Sequence, residues 1–453
     1  MNLTLPSQYN FLGRFYRLVL VNILSSLMIP LAGLVDVAFL GHLADIRHLA
    51  GVVLATILFD YLYLGFNFLR SSTNGMTAQA VGRDDSKAML LVGLRHGLIA
   101  LGVGALILIL QYPLQKLGFA LLAGSPEIKA SGIDYFNARI WGAPAVLLNF
   151  VLMGWFLGRE MNGFVLLMSS IGNGANIVLN YLFIIQWDWA SAGAGLATAV
   201  GQYLALLVGL ILACFNIQWQ EIPAVAQKIL DWSALKATFT FNGNIMIRTL
   251  VFISSFAIFT NLSSAMGTTL LAENGLLLRV VDLCLFVLQG LGTSTQTLTG
   301  NFKGKDANEQ LKPLLEIALL TSLLLALSFA LVSVLFPQTI FGLLTNHAEI
   351  TNSINSYVGW LIPVLVFAAI AFMLEGYFIG LTEGQTIRNS ALAAFGIGFA
   401  PTAFVAWYFH SNHVLWLALS LYMVISVITL GIQIQRLSLR TSCPQKDTEI
   451  MEA

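Results

Sequence analysis

YRLVLVNILSSLMIPLAGLVDVAFLGH, residues 16–42, decides how this chain is built. Between Arg17 and His42 it holds one ionisable side chain, Asp36, in a run longer than the about 20 apolar residues a helix needs to cross a hydrocarbon core of roughly 30 Å. A barrel strand would show about ten residues of alternating character, and this run is continuously apolar. It reads as a membrane-spanning helix. The same reading repeats outward at 49–72, 89–112, 132–157, 163–186, 192–215, 237–262, 268–295, 313–336, 354–380, 388–409 and 413–435. The predicted fold is an all-α polytopic membrane protein of twelve transmembrane helices.

Composition agrees. Of 453 residues, 57% are apolar and 10% charged, against about 25% charged in a soluble domain. The 22 basic and 22 acidic side chains cancel, so no net field draws nucleic acid or an acidic polymer, and nucleic acid is excluded as a partner. Cys214, Cys284 and Cys443 are far apart, in apolar runs or the tail, which offers neither a disulfide framework nor metal-ligand spacing. The sequence lacks a TVGYG-like filter and the HExxH, GxSxG and paired-aspartate signatures, so a channel or an intramembrane enzyme lacks its chemistry. No enzyme activity and no cofactor are expected. The N-terminal MNLTLPSQYNFLGRFYRL has no small-residue cleavage site, and no removable signal peptide is expected.

Lysine and arginine resist translocation, so their distribution orients the spans. The N-terminus and even-numbered loops hold Arg14, Arg17, Arg83, Lys87, Arg159, Lys228, Lys236, Lys303, Lys305, Lys312 and Arg388, and the tail adds Arg436, Arg440 and Lys446, which makes 11 + 3 = 14. The other side holds three, Arg47, Lys116 and Lys129. Both termini are therefore expected in the cytoplasm, with the protein multi-pass in a bacterial inner membrane.

The second half repeats the first. An offset of 222 places Asp60 on Asp282, Gly82-Arg83-Asp84 on Gly304-Lys305-Asp306, and GWFLG at 154–158 on GYFIG at 376–380. Glycines and charges match as well as apolar residues, which points to a parallel repeat of two six-span lobes. The expected organisation is a first lobe at 1–215, a cytoplasmic linker at 216–236 containing a short amphipathic helix, a second lobe at 237–436 and a cytoplasmic tail at 437–453. Two bundles joined by one linker are the architecture of a transporter that opens to alternate sides.

An ionised carboxylate in a bilayer costs roughly 2.5 to 3.5 kcal/mol on insertion scales, so each one calls for a reason. Asp36 lies about six residues, roughly 9 Å, before the outer end of the first span. Pro30, which lacks an N–H, is expected to bend the helix beside it. A low-dielectric pocket favours the protonated acid, the chemistry a proton antiporter needs. The fifth span offers Asn176 and Asn180, one turn apart, and the sixth offers Thr198. Their oxygens suit a proton site or Na+, and equally suit gluing helices together.

Asp60 and Asp282 occupy equivalent mid-membrane positions, and Arg279, three residues before Asp282, predicts an internal ion pair. Glu375 aligns with Met153, so it has no counterpart in the first half, and is expected to line a cleft or to snorkel to the cytoplasm. Leu262 stands opposite Asp36 in the repeat, so coupling through an acid there belongs to the first half.

These residues resemble the multidrug and toxic compound extrusion (MATE) family, in its DinF-like branch. The likeness rests on PLAGLVDVAFLGHL at 30–43, FNFLRSSTNGMTAQAVGRDD at 66–85, NIVLNYLF at 176–183 and GNFKGKD at 300–306, and runs over essentially the whole chain. It implies two six-helix lobes that export organic compounds in exchange for H+ or Na+. It also implies a coupling carboxylate at Asp36, in a network with Asn176 and Thr198. Members often carry a second acid where this chain has Asn180, so the site is less anionic and leans toward H+ over Na+. The Na+-coupling acid on helix 7 of another branch is missing. Amphipathic drugs are the expected substrates, with membrane lipids around a monomer. The rivals are an exporter of organic or phenolic acids, for which Arg139, Arg248 or Arg279 would be the cationic group, and a lipid-linked sugar flippase, whose fold usually has more spans and a more basic cleft.

Overall fold

The structure is a computed structural model that describes residues 7–41, 45–343 and 353–442. Among the described residues it is helical throughout, without strands. The first helix, α1 (Leu12–Gly41), runs unbroken through Pro30. Eleven more helices are long and apolar enough to cross a membrane: α2 (Ile46–Gly82), α3 (Ser86–Ile109), α4 (Pro126–Gly158), α5 (Asn162–Gln186), α6 (Ala190–Asn216), α7 (Trp232–Met266), α8 (Thr268–Gly304), α9 (Asn308–Leu335), α10 (Val358–Gly380), α11 (Gly384–Phe409) and α12 (Asn412–Leu437). The twelve expected spans are therefore helices.

Several outrun their apolar cores. α2 and α8 continue through SSTNGMTAQAVG and TSTQTLTGNFKG because these polar stretches are buried rather than wet. Local chemistry marks other boundaries. Asp85 caps α3 by accepting from the Ala88 N–H at 2.9 Å. At the start of α7, the Ser233 hydroxyl and N–H hold the Asp231 carboxyl below its ordinary pKa. α4 tightens into a 3-10 turn at Ile140–Gly142, just before Pro144, whose missing N–H breaks the α ladder.

The chain between α6 and α7 forms a 3-10 turn (Trp219–Glu221) and a short helix (Ile222–Ala226). α3 holds it. The Ser86 hydroxyl donates to Glu221 at 2.7 Å, and Arg95 donates to the Lys228 and Ile229 carbonyls at 2.6 and 3.2 Å.

By packing, the chain divides into two compact units: Met1–Met246 with Gln289–Leu314 and Ile379–Thr382, and Ile247–Leu288 with Leu315–Phe378 and Glu383–Ala453. In the second unit Trp416 and Phe259 are fully buried with ring centroids 5.0 Å apart. Beside them Asn274 accepts from Trp416 Nε1 at 2.9 Å and donates to Ser263 and Asn412 at 2.8 and 2.7 Å, so the polar groups of that core are matched.

The first unit contains a seam in which the repeat becomes visible atom by atom. A Cβ built on Gly82 would overlap the Asn301 carbonyl oxygen, and one built on Gly304 would overlap that of Gln79. Gly158 meets Thr77 Cβ at 2.6 Å and the Asn74 carbonyl at 2.7 Å, while Gly380 meets Thr299 Cβ at 2.8 Å and the Gln296 carbonyl at 2.5 Å. Each pair of contacts maps onto the other by the offset of 222 read from the sequence. Gly304→Ala is accordingly expected to destabilise the purified protein by about 1–3 kcal/mol through overpacking. Gly97→Ala, where a Cβ meets nothing within 4 Å, should be neutral or slightly stabilising. Equal unfolding midpoints for the two variants would show that the seam yields without cost.

Candidate functional site

α5 and α6 approach closely where they are small: a Cβ on Gly201 would lie 2.8 Å from the Gly172 carbonyl oxygen. This closeness lets polar side chains bridge the helices. Asn176 Nδ2 donates to Thr198 Oγ1 at 3.1 Å, Asn180 Nδ2 donates to Asn176 Oδ1 at 3.2 Å, and Thr198 Oγ1 donates to the Ala194 carbonyl at 3.0 Å. Asn176 is 5% exposed and Asn180 is fully buried. Immediately after Asn180, α5 widens into a π turn, Tyr181–Gln186, closed by Trp187 N–H to the Leu182 carbonyl at 3.0 Å. Wide turns of this kind interrupt the regular ladder and recur at functional positions. α1 packs against α5, and Asn173 Nδ2 reaches the Met28 carbonyl at 3.1 Å.

Three of the four residues expected to form the coupling site are thus joined. The side chains of Asp36, the fourth, and of Pro30 lie outside the described residues.

The other expected site residues go elsewhere. Glu375 is held by a cation. It forms a two-pronged ion pair with Arg248 inside the second unit, Arg248 Nε donating to Oε1 at 3.0 Å and Nη2 to Oε2, with side-chain exposures of 15% and 12%. A carboxylate in low dielectric is best placed against a cation that can satisfy both oxygens, and α7 supplies one. Phe252 and Phe372 cover the guanidinium at 5.1 and 5.7 Å. Asp282 and Arg279 do meet, at 4.0 Å, but their side chains are 45% and 76% exposed, so the pair is not internal. Asp60 is exposed on α2, with Arg139 the cation whose charge acts on it. Arg139 itself donates to the Tyr135 hydroxyl at 2.7 Å and lies 4.5 Å over the Phe59 ring.

Sequence reasoning missed a second buried chain in the first unit. Asn162 Nδ2 donates to Asn22 Oδ1 at 2.7 Å, Asn22 Nδ2 to Ser294 Oγ at 2.8 Å, and Ser294 to the Gly290 carbonyl at 3.0 Å. No spacing links residues so far apart in sequence. The only available signal was asparagine inside apolar runs. Arg14 pairs with Glu160 at the end of the same helices.

The MatE family profile matches this chain twice, over residues 22–182 and 245–405, one copy in each half. The DNA damage-inducible protein F of Escherichia coli (strain K12) is 31% identical over 417 residues, covering 92% of this chain and 90% of that protein. A probable multidrug resistance protein NorM of Pasteurella multocida (strain Pm70) is 25% identical, covering 70% of this chain and 69% of that protein. Among solved structures, a variant of the Vibrio cholerae MATE transporter VcmN superposes with a TM-score of 0.83 at 18% identity, covering 96% of this chain and 98% of that one. With twelve helices in the same arrangement, a repeat that the family profile matches copy by copy, and a relative alike over nine-tenths of its length, the chain belongs to the MatE family of membrane transporters.

Proposed function

We propose that this protein is a proton-coupled antiporter that exports amphipathic organic compounds, with Asp36 as the proton carrier and Asn176, Asn180 and Thr198 as the groups that hold its site. As a family member it is a transporter of small molecules rather than an enzyme, and a multi-pass membrane protein with homologues among multidrug efflux transporters. The observation that carries the proposal is the buried Asn176–Thr198–Asn180 network beside α1. α1 and α5 touch at Met28 and Asn173, and both are odd-numbered spans running the same way. Asp36 and Tyr181 are equally far beyond that contact, with Asn180 one residue short, so equal rise brings acid and amide to one level. Drug-like substrates are supported by the name that the NorM relative carries.

Na+ is disfavoured because the neighbouring ligands are dipoles. Stripping water from Na+ in low dielectric costs more than one carboxylate and two amides return, whereas a proton neutralises Asp36 outright. In proteoliposomes, an imposed pH gradient is expected to drive efflux of a labelled cationic dye, and a Na+ gradient at constant pH to drive little. Asn180→Asp should raise the Na+ response by restoring a second charge. Efflux driven by Na+ and indifferent to pH would overturn the assignment of the ion.

The orientation proposed is both termini in the cytoplasm of a bacterial cell, with the protein acting as a monomer. Cysteines introduced at Asp84 and Asp306, in the loops after α2 and α8, should resist a membrane-impermeant maleimide in intact cells and react after lysis. Labelling of both from outside would reverse the topology.

A further inference from the structure

Arg70 sits on α2, in the stretch C-terminal to Asn67, and is 8% exposed. Its Nη2 is buried without a hydrogen-bond partner. Arg70 takes no part in the ion pairs Arg14–Glu160, Arg47–Asp45, Arg248–Glu375 and Arg279–Asp282. Other arginines in or beside the spans are engaged, Arg139 by Tyr135, Arg248 by Glu375 and Arg95 by the carbonyls of Lys228 and Ile229, and Arg159, whose Nη1 is also buried without a partner, still donates Nη2 to the Asn216 carbonyl at 3.2 Å. A guanidinium cannot shed its proton to escape burial. An isolated cation in low dielectric therefore calls for a group of opposite charge.

Its surroundings on the same helix are short of the same thing. Asn74 and Thr77 lie four and seven residues from Arg70 in the stretch Phe68–Gly82, which places the three on one face of α2, and Tyr63 lies seven residues before Arg70, across the turn at Asn67. Tyr63 Oη, Asn74 Nδ2 and Thr77 Oγ1 are each buried without a partner. The Thr297 hydroxyl lies 3.0 Å from the Asn74 oxygen and shares its one proton between that oxygen and the Thr293 carbonyl, also at 3.0 Å, while the Asn74 NH2 is left without an acceptor. The two hydroxyls can donate as well. Among these groups donors are in excess, and what is missing is an acceptor carrying negative charge.

We propose that Arg70 anchors an anion site in the first unit, taking a small monoanion through its guanidinium with Asn74 as a second donor. A carboxylate matches the planar fork of the guanidinium, and chloride answers to the same donors. The anion proposal makes no use of Asp36, so either assignment can fail without the other.

The test uses the purified full-length protein in detergent, in potassium chloride, benzoate or gluconate at one pH and ionic strength. Gluconate, bulky and strongly hydrated, is the reference. Binding to the folded state raises the unfolding midpoint. The expected result is a saturable rise of several degrees in chloride, in benzoate or in both, lost in Arg70→Met. In gluconate that variant should melt at or above the wild type, because it removes an uncompensated charge. A rise in benzoate alone identifies an organic carboxylate, and a rise in chloride alone identifies a halide site. Asn74→Leu should weaken the apparent affinity about tenfold, and it carries the test if Arg70→Met does not fold. Equal wild-type midpoints in all three salts, or an undiminished response in the variants, would overturn the proposal.

Discussion

Asp36→Asn is expected to reduce gradient-driven efflux in proteoliposomes to the leak of empty vesicles, while the protein inserts and folds. The two effects have opposite signs because they come from one charge. An amide keeps the shape and hydrogen bonding of the acid but cannot bind or release a proton, so the link between gradient and substrate is cut. It also removes a carboxylate whose presence in a bilayer costs roughly 2.5 to 3.5 kcal/mol, so the unfolding midpoint should stay level or rise. Asp60→Asn, on an exposed position of α2, should leave most of the efflux. Wild-type coupling in Asp36→Asn would move the proton site elsewhere in the chain. Loss of both transport and fold would show a structural role instead.

Glu375→Gln should have the largest effect on stability. It leaves Arg248 charged and buried with only an amide opposite, and removing one member of a buried pair costs about 3–5 kcal/mol. Coupling per folded molecule should survive, because Glu375 lies in the second unit and is held by Arg248. The double variant Arg248→Met with Glu375→Leu should recover most of the lost stability, since Phe252 and Phe372 offer the replacements an apolar wall. Thermal unfolding of the three purified proteins checks this. A Glu375→Gln midpoint equal to that of the wild type would mean that the pair contributes nothing net.

What the sequence disclosed, and what it withheld, follow from the range of each interaction. The spans were legible because a bilayer imposes one length and one polarity on every segment, and the repeat because glycines such as Gly82 and Gly304 recur at a fixed offset. Asn176 and Asn180 share a face by helical spacing alone, Thr198 was legible as a polar residue on the sixth span, and the resemblance to a family set it in one network with Asn176. Glu375 could not be placed in the same way. Its partner is 127 residues away on another helix, and no periodicity encodes that meeting. Arg70 was hidden for a related reason: its burial without a hydrogen-bond partner for Nη2 is a fact of packing that no spacing in the sequence encodes. The polar ends of α2 and α8 outran their predicted spans because burial against neighbouring helices, rather than lipid, shelters them.

The reciprocal contacts of the glycine seam have the form of a two-fold dimer interface, in which residue i of one subunit meets j of the other and j meets i. Gly82 against Asn301 and Gly304 against Gln79 are one contact made twice. Within one chain, such a seam is that of two six-span copies paired with each other and covalently joined. Joining them releases each half from having to match the other. In a homodimer, any acid gained would appear on both sides of the axis, with twice the cost of burial. In the joined chain, Asp36 can stand where the other half keeps Leu262, and Glu375 where the other keeps Met153, so that one subunit's worth of charge is free to specialise while the shared interface stays in duplicate.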